Sequence, residues 1–329
     1  MTIEDNGSLT AGEVTNIGLN IARNNMIQFS GHSQEIVDVR VQRFIEMFIA
    51  GIDQHPNARL DAVKDPDIQY SLLIAEKEYA RSGDETTAGL LVDLLVGRCA
   101  LEQRGLQALV LNEAIETVGR LTRRQVSTLT ASWLVTRTVL EDIDSVAKYA
   151  EWLAADMKPF FDISEHISEY QHLAFLGCVS MDGSGRGFGY VAGRVYPGAF
   201  AKGLEREAIP PALRPYDSPF KPCTNFPDLL QVAAKDSTQV KNIAATCGLD
   251  DLSAETLQNV FEANVMSEGE AQDILISNLP AAEEFIRRWN TTQMLRINVT
   301  SVGLAIAYAN WARISGSENR LSVWIPDDV

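Results

Sequence analysis

The sequence has few cysteines, and their spacing excludes the common metal and disulfide frameworks. Zinc sites use closely paired ligands, and disulfide-rich folds use regularly spaced cysteines. The 329 residues include four cysteines without a Cys-x-x-Cys pair, namely Cys99, Cys178, Cys223 and Cys247. We therefore expect reduced thiols and no bound metal.

Long apolar runs and a signal sequence are also missing. The longest apolar candidate, residues 302–312, contains Asn310 and is shorter than the ~18–20 residues that a membrane span needs. The first residues, MTIEDNGSLTAGEV, lack the basic and apolar regions of a signal peptide. The sequence thus predicts a cytoplasmic protein without a membrane span.

Positive charge is scarce. Lys and Arg total 28 against 44 Asp and Glu, which gives a formal net charge of −16. Nucleic acids and anionic membranes are bound by clustered Lys and Arg, so both are disfavoured as main partners. With 46% apolar and 22% charged residues, the composition is that of an ordinary globular protein of roughly two domains.

Helical periodicity dominates the first half. In residues 34–52, apolar side chains recur at three- and four-residue steps, as on one helix face: Ile36, Val39, Phe44, Ile45, Phe48, Ile49 and Ile52. Residues 86–103 are apolar on most faces, which predicts a central helix that is also suited to an oligomer interface. We predict a flexible segment over 1–16 and an antiparallel helical domain over 17–158.

From residue 159 the pattern becomes a mixed α+β type. A proline-rich stretch over 209–227 cannot sustain a helix or a central strand. Strands predicted at 295–299 and 321–325 flank a helix over 302–313. We predict an α+β domain with a glycine-rich hairpin over 159–329, so the whole protein is mainly α.

Polar residues mark several helix starts. Thr122-x-x-Gln125 and Ser267-x-x-Glu270 have the form of a capping box, in which two side chains satisfy free backbone amides reciprocally. Thr300 precedes the apolar run near the C-terminus and is a typical N-cap.

Five glycines follow an apolar run in the stretch DGSGRGFGYVAGR, residues 182–194. The letters GFGYVA match the G-x-G-x-x-G/A pattern of dinucleotide-binding folds, in which a strand precedes the glycines and a helix follows them. Here the apolar run ends six residues before Gly187 and Tyr-Pro-Gly soon follows, so we predict a β-hairpin or a flexible tip. The candidate ligand-binding residues of this loop are Arg186, Gly187, Gly189 and Arg194.

A histidine segment resembles a metal or nucleophile site in spacing alone. Glu169 and His172 have the Glu-x-x-His spacing of di-iron bundles, and Glu165 lies on the same helical face, but a second copy of the motif is missing. His172 and Cys178 form a Cys–His pair, but nothing local lowers the thiol pKa. We predict a solvated helix face.

Three cations, Arg120, Arg123 and Arg124, lie where a helix begins. Cations at a helix start oppose the helix dipole, which fits an acidic partner or a solvated face with local ion pairs. We favour the solvated face.

The C-terminal unit, residues 295–325, combines a strand, a capping threonine and Gly303 in the first helical turn, where a glycine permits a close approach to a neighbouring element. In this it resembles the winged-helix ending of Abi-alpha-like proteins of phage exclusion. A DNA-reading helix would carry several cations. Residues 302–312 contain none, and Arg313 follows them.

Four stretches resemble an uncharacterised, mostly helical family of bacterial proteins: residues 64–95, 170–178, 196–203 and 298–325. They are scattered between residues 64 and 325 and carry no catalytic residue that could be transferred. The resemblance implies a bacterial cytosolic protein associated with mobile elements or defence genes.

The sequence contains no complete catalytic constellation. We therefore predict a non-enzymatic interaction, sensor or scaffold protein that self-associates, in phage defence or stress response, with a protein partner or a second copy and without a cofactor. One alternative is a nucleotide-responsive protein or enzyme that uses loop 183–193. A second is a DNA-binding regulator built on the C-terminal unit.

Overall fold

The computed structural model describes residues 8–26, 28, 30–181, 183–216, 218–316 and 321–326. Within these ranges it contains fourteen α-helices and two sheets of two strands each. The prediction of a mainly α protein with a mixed α+β C-terminal region is confirmed.

Most of the described α-helices begin at a residue whose side chain caps the first turn, and each strand has three residues. The helices are α1 (Ala11–Asn25), α2 (His32–Gln54), α3 (Pro66–Ser82), α4 (Glu85–Cys99), α5 (Leu106–Val118), α6 (Arg123–Arg137), α7 (Val146–Trp152), α8 (Ile167–Phe175), α9 (Phe188–Val195), α10 (Ser237–Thr246), α11 (Asp251–Ala263), α12 (Glu268–Asn278), α13 (Glu283–Thr291) and α14 (Ser301–Ser315). The strands are β1 (Val179–Met181), β2 (Phe220–Pro222), β3 (Leu230–Val232) and β4 (Ile297–Val299). Strands β1 and β4 form one sheet, and β2 and β3 form the other, in which Phe220 lies opposite Val232 in antiparallel register.

The chain divides into two compact units. The first comprises Met1–Thr130, His172–Ser180 and Val299–Val329, and the second comprises Ala131–Gln171 and Met181–Asn298. The predicted domains at 17–158 and 159–329 follow a single cut, whereas the chain crosses between the units several times. Helix α14 belongs to the first unit because it packs on α4 and α5.

Helix α4 lies at the centre of the first unit, as predicted. It packs against α2, α3, α5 and α14, and ten of its fifteen residues are buried. Because its apolar faces are covered by the chain's own helices, α4 has no broad face left for an oligomer interface.

The first helix begins earlier than the sequence suggested. Thr10 and Glu13 form a capping box, with the Thr10 amide donating to a Glu13 carboxylate oxygen at 2.8 Å. Residues 11–16 therefore belong to α1, whereas the sequence placed the start of the first helix after residue 16. The first seven residues of the predicted flexible segment over 1–16 lie outside the described ranges.

Helix α14 starts as predicted, at a Thr300 cap directly after β4. Gly303 lies against the backbone of Cys178: a Cβ at Gly303 would be 3.0 Å from the Cys178 carbonyl carbon and closer still to its oxygen. The predicted close approach at Gly303 is confirmed.

Two strand predictions are wrong. Residues Leu321–Val323 form a 3₁₀ turn instead of part of a closing strand, so the described C-terminal residues supply no strand for a wing. Residues Phe188–Val195 form helix α9 instead of the second arm of a hairpin. In α9 the buried residues Phe188, Val191 and Ala192 recur at helical spacing, and packing of that face overrides the low helix propensity of its glycines.

Candidate functional site

The glycine segment is fixed in the second unit by backbone hydrogen bonds. The Arg186 amide donates to the Leu295 carbonyl at 2.8 Å, and the Arg186 carbonyl accepts from the Trp289 indole at 3.1 Å. The Phe188 amide donates to the Asn290 side-chain oxygen at 2.8 Å. The start of α9 is thus an ordered junction and not a flexible tip.

The space in front of Gly187 and Gly189 is occupied by helix α12. A Cβ at Gly187 would lie 2.5 Å from the Glu268 carboxyl carbon, and one at Gly189 would lie 3.2 Å from the Glu268 carbonyl carbon. These glycines therefore allow two helices to pack closely. Because the Glu268 carboxylate stands near the N-terminus of α9, where a bound phosphate would need to sit, it complements the helix dipole itself.

The two arginines of the segment lie at opposite ends of α9. The Arg186 guanidinium donates to the Asn298 side-chain oxygen at 3.3 Å, and the Arg194 guanidinium donates to the Tyr190 hydroxyl at 3.4 Å. Both arginines are exposed. Six helical residues, 188–193, lie between them and span about 9 Å along the axis, and each guanidinium donates to a different partner. The ligand-binding role of Arg186, Gly187, Gly189 and Arg194 stays a prediction.

The acidic residues of the histidine segment have structural partners. Glu169 accepts hydrogen bonds from the Glu165 and His166 amides at 3.0 and 3.1 Å, which caps α8. Glu165 pairs with Arg288 at 3.0 Å. Within the described residues, no group of three or more His, Cys, Asp or Glu side chains could hold a metal ion.

The Cys–His pair is unsuited to nucleophilic chemistry. The His172 Nδ1 lies 3.1 Å from the Gln125 amide nitrogen. Burial raises the pKa of the Cys178 thiol to about 12, so the reactive thiolate is scarcely populated at neutral pH.

The remaining cations are distributed over a solvated surface. Arg123 pairs with Asp84 at 2.8 Å, which fits the expected local ion pair at the start of α6. At the end of α14, Arg313 pairs with Asp93 at 3.2 Å. The central part of α14 is buried against its neighbours, so that part cannot enter a DNA groove.

An unpartnered surface lies on the outer face of α2. Ile36 and Val39 are 39% and 68% exposed, whereas the buried residues of α2 lie on another face. A shallow depression of about 710 Å³ follows this outer face over four turns and is lined by Asp38, Val39, Gln42, Arg43, Glu46, Met47 and Ala50. We call these seven residues the α2 face.

A second concavity adjoins the α2 face. It is a groove of about 630 Å³ between α1 and α2, and it shares Asp38 and Gln42 with the α2 face. Ala22, Val37 and Val41 are buried residues that line it. The first unit thus presents two adjacent depressions on either side of α2.

The charges of the α2 face are exposed and of both signs. Arg43 pairs with Glu85 at 3.1 Å, and the Gln42 amide donates to Glu46 at 2.8 Å. The side chains of Arg43 and Glu85 are 59% and 53% exposed. Exposed pairs of this kind are worth little, so these side chains can change partners at low cost.

Apolar periodicity in residues 34–52 does not separate the buried residues of α2 from those that face outward. Ile36 and Val39 fit a three- and four-residue spacing with the other apolar residues of residues 34–52. The buried face instead follows Val37, Val41, Phe44, Ile45, Phe48 and Ile52. Ile36 and Val39 lie off this register and are the residues that face outward.

Comparison with known proteins identifies a family for this chain. A protein-family model described only as ":-like" matches residues 8–325, which is nearly the whole chain. No curated protein and no solved structure matches. The described part of the chain has no helix of the length and apolarity that would be needed to cross a membrane.

Proposed function

The chain belongs to this uncharacterised family over residues 8–325, and we propose that it is a non-enzymatic interaction protein that self-associates through the α2 face. The observation that carries the proposal is an exposed apolar residue, Val39, in a depression flanked by charges of both signs. Met47 and Ala50 continue the apolar part of the same depression, and a contiguous apolar surface rimmed by polar residues is typical of interaction sites.

The α2 face is complementary to itself. Two α2 helices can pack antiparallel about a twofold axis that passes between residues 44 and 45. In that arrangement, two residues face each other across the interface when their numbers add up to 89. Arg43 then faces Glu46 of the second copy, and Val39 faces Ala50. A twofold interface repeats each of these pairs, so it contains two opposite-charge pairs and two apolar pairs.

The size of the face predicts a weak dimer. Residues 38–50 span about 18 Å along the helix. A single helix face of this length buries less surface than the roughly 1,600 Å² of a standard interface. The small Ala50 side chain allows the two backbones to approach closely. We expect a dissociation constant on the order of 10 µM or weaker.

Charge reversal tests this geometry directly. Arg43→Glu places like charges opposite each other twice, and we expect at least about a tenfold weaker dimer in sedimentation equilibrium across a wide concentration range. Glu46→Arg should weaken it similarly, and the double variant Arg43→Glu/Glu46→Arg should restore it. Arg104→Glu, an exposed reversal on the same unit, is the matched control.

Two results would contradict the proposal. One is a wild-type chain that stays monomeric at the highest concentration reached. The other is a dimer that Arg43→Glu leaves unchanged. Circular dichroism of each variant separates lost association from lost folding, since the Arg43–Glu85 pair is exposed and contributes about 0–1 kcal/mol to stability.

We propose phage defence or stress response as the biological setting, as expected from the sequence. The α9 junction gives less support to a nucleotide-responsive protein, because Glu268 fills the space near Gly187. The burial of α14 gives less support to a DNA-binding regulator. Thermal-shift assays with nucleotides and duplex DNA would favour these alternatives if either ligand stabilised the chain.

A further inference from the structure

A carboxyl group without a partner lies beneath helix α1. Glu76 of α3 is fully buried, and among the described residues neither of its carboxyl oxygens has a hydrogen-bond partner. Gly18 of α1 covers it: a Cβ there would lie 3.0 Å from the Glu76 Oε1 and 2.9 Å from the Ile45 Cδ1 of α2. The absence of a side chain at Gly18 is what lets α1 sit over this group.

Five charged groups on three of the surrounding helices are engaged with other partners. The described partners are as follows: Glu13 of α1 bonds to Thr10, Arg40 of α2 donates to the Ala80 carbonyl, Arg43 of α2 pairs with Glu85, and on α4 Asp93 pairs with Arg313 and Arg98 with Asp67. Burial is the cause that raises the pKa of Glu76 well above its ordinary value. An ionised carboxylate in this position would be buried and uncompensated, which is strongly unfavourable.

Helix α1 has few fully buried residues. They are Val14, Gly18 and Ala22, one on each of three successive turns, and Leu19 adds a partly buried contact to the core cluster of this unit. At its start, the Leu9 amide donates to Asp61 at 2.6 Å. Three of the fifteen residues of α1 are buried against ten of fifteen in α4, so we expect α1 to detach more easily than the central helix.

We infer that α1 is a pH-sensitive latch, which docks on α2 and α3 while Glu76 is protonated and undocks when Glu76 ionises. Undocking lets water reach the carboxylate and also uncovers Val37 and Val41, which line the groove beside the α2 face. The latch stands on the packing around Glu76 and does not depend on the proposed self-association.

The sign of the pH dependence follows from proton linkage. The undocked state has an ordinary glutamate, and the docked state holds its proton to a higher pH. Docking is therefore fully favoured below about pH 4.5 and loses strength as pH rises through the raised pKa of Glu76. In that interval the undocking equilibrium constant should increase about tenfold per pH unit, because one proton is released.

Hydrogen–deuterium exchange of the full chain tests the latch. We expect protection factors of α1 amides, corrected for intrinsic exchange, to fall with rising pH while those of α14 stay constant. Glu76→Gln should raise α1 protection above pH 4.5 and remove its pH dependence, since the amide carries no charge. Glu116→Gln, an exposed glutamate of α5, is the control and should behave as wild type.

Two outcomes would overturn the inference. One is α1 protection that does not change with pH, or that changes in parallel with α14. The other is a Glu76→Gln variant that folds and retains the wild-type pH profile. If Glu76→Gln fails to fold, the comparison of α1 with α14 in the wild-type chain still decides the question.

Discussion

Substitution of Gly303 by alanine measures how closely α14 packs in the first unit. A Cβ at this position would lie 3.0 Å from both the Cys178 carbonyl carbon and the Val299 Cγ1, and closer to the Cys178 carbonyl oxygen. Because backbone atoms cannot rotate away as a side chain can, α14 or the residue 178 segment must move. We therefore expect Gly303→Ala to be destabilising.

The size of the effect follows from two opposing terms. Alanine in place of glycine in a helix gains about 0.5–1 kcal/mol from backbone propensity. Overpacking of a closely packed site costs typically 1–3 kcal/mol. A matched Gly97→Ala variant removes the first term from the comparison, because a Cβ at Gly97 of α4 meets only an ordinary contact, 3.9 Å from the Leu111 Cδ1.

Urea unfolding of both variants, followed by circular dichroism, gives the comparison. We expect Gly97→Ala to be as stable as wild type or more stable, and Gly303→Ala to be less stable than Gly97→Ala by about 1–3 kcal/mol. Equal stability of the two variants would refute the close packing of α14 at Cys178.

Cysteine reactivity and one buried ion pair give two further predictions. Burial raises the thiol pKa of both Cys99 and Cys178 to about 12, so in the native protein at pH 8 Cys247, which is half-buried, should react first with a disulfide reagent. Labelling of Cys99 before Cys247, located by mass spectrometry, would contradict this. In the native chain the buried guanidinium of Arg98 lies 2.9 Å from the Asp67 carboxylate. The substitution Asp67→Ala leaves this guanidinium without its charge partner. We expect this variant to lose about 3–5 kcal/mol in urea unfolding, and a loss below 1 kcal/mol would show that the pair is not held as described.

Local features of this fold could be predicted from sequence because their causes are local. The predicted capping box at Ser267 and Glu270 forms, with the Glu270 amide donating to the Ser267 hydroxyl. The Thr122 amide likewise donates to the Gln125 side chain at 3.0 Å. The capping box of Thr10 and Glu13 has the same spacing and could have been found by the same rule.

Features that depend on distant residues could not be predicted in this way. The apolar residues near the C-terminus read as a strand, but Leu321 is buried in a 3₁₀ turn, and no local rule distinguishes the two for so short a run. The outward direction of Val39 and the burial of Glu76 depend on which helices pack on α2 and α3. Both candidate sites therefore required the three-dimensional arrangement.

The glycine segment shows why a sequence pattern needs its surroundings before it indicates a ligand. Strand β1, the glycines and helix α9 follow one another in the order of a dinucleotide-binding unit, in contrast to the predicted hairpin. The pattern still does not form an anion cradle, because a cradle needs open space in front of the helix N-terminus. Here Glu268 supplies both the volume and the negative charge that a phosphate would bring. The same glycines that would admit a ligand admit a neighbouring helix, and the first amide of α9 donates to the Asn290 side chain within the chain.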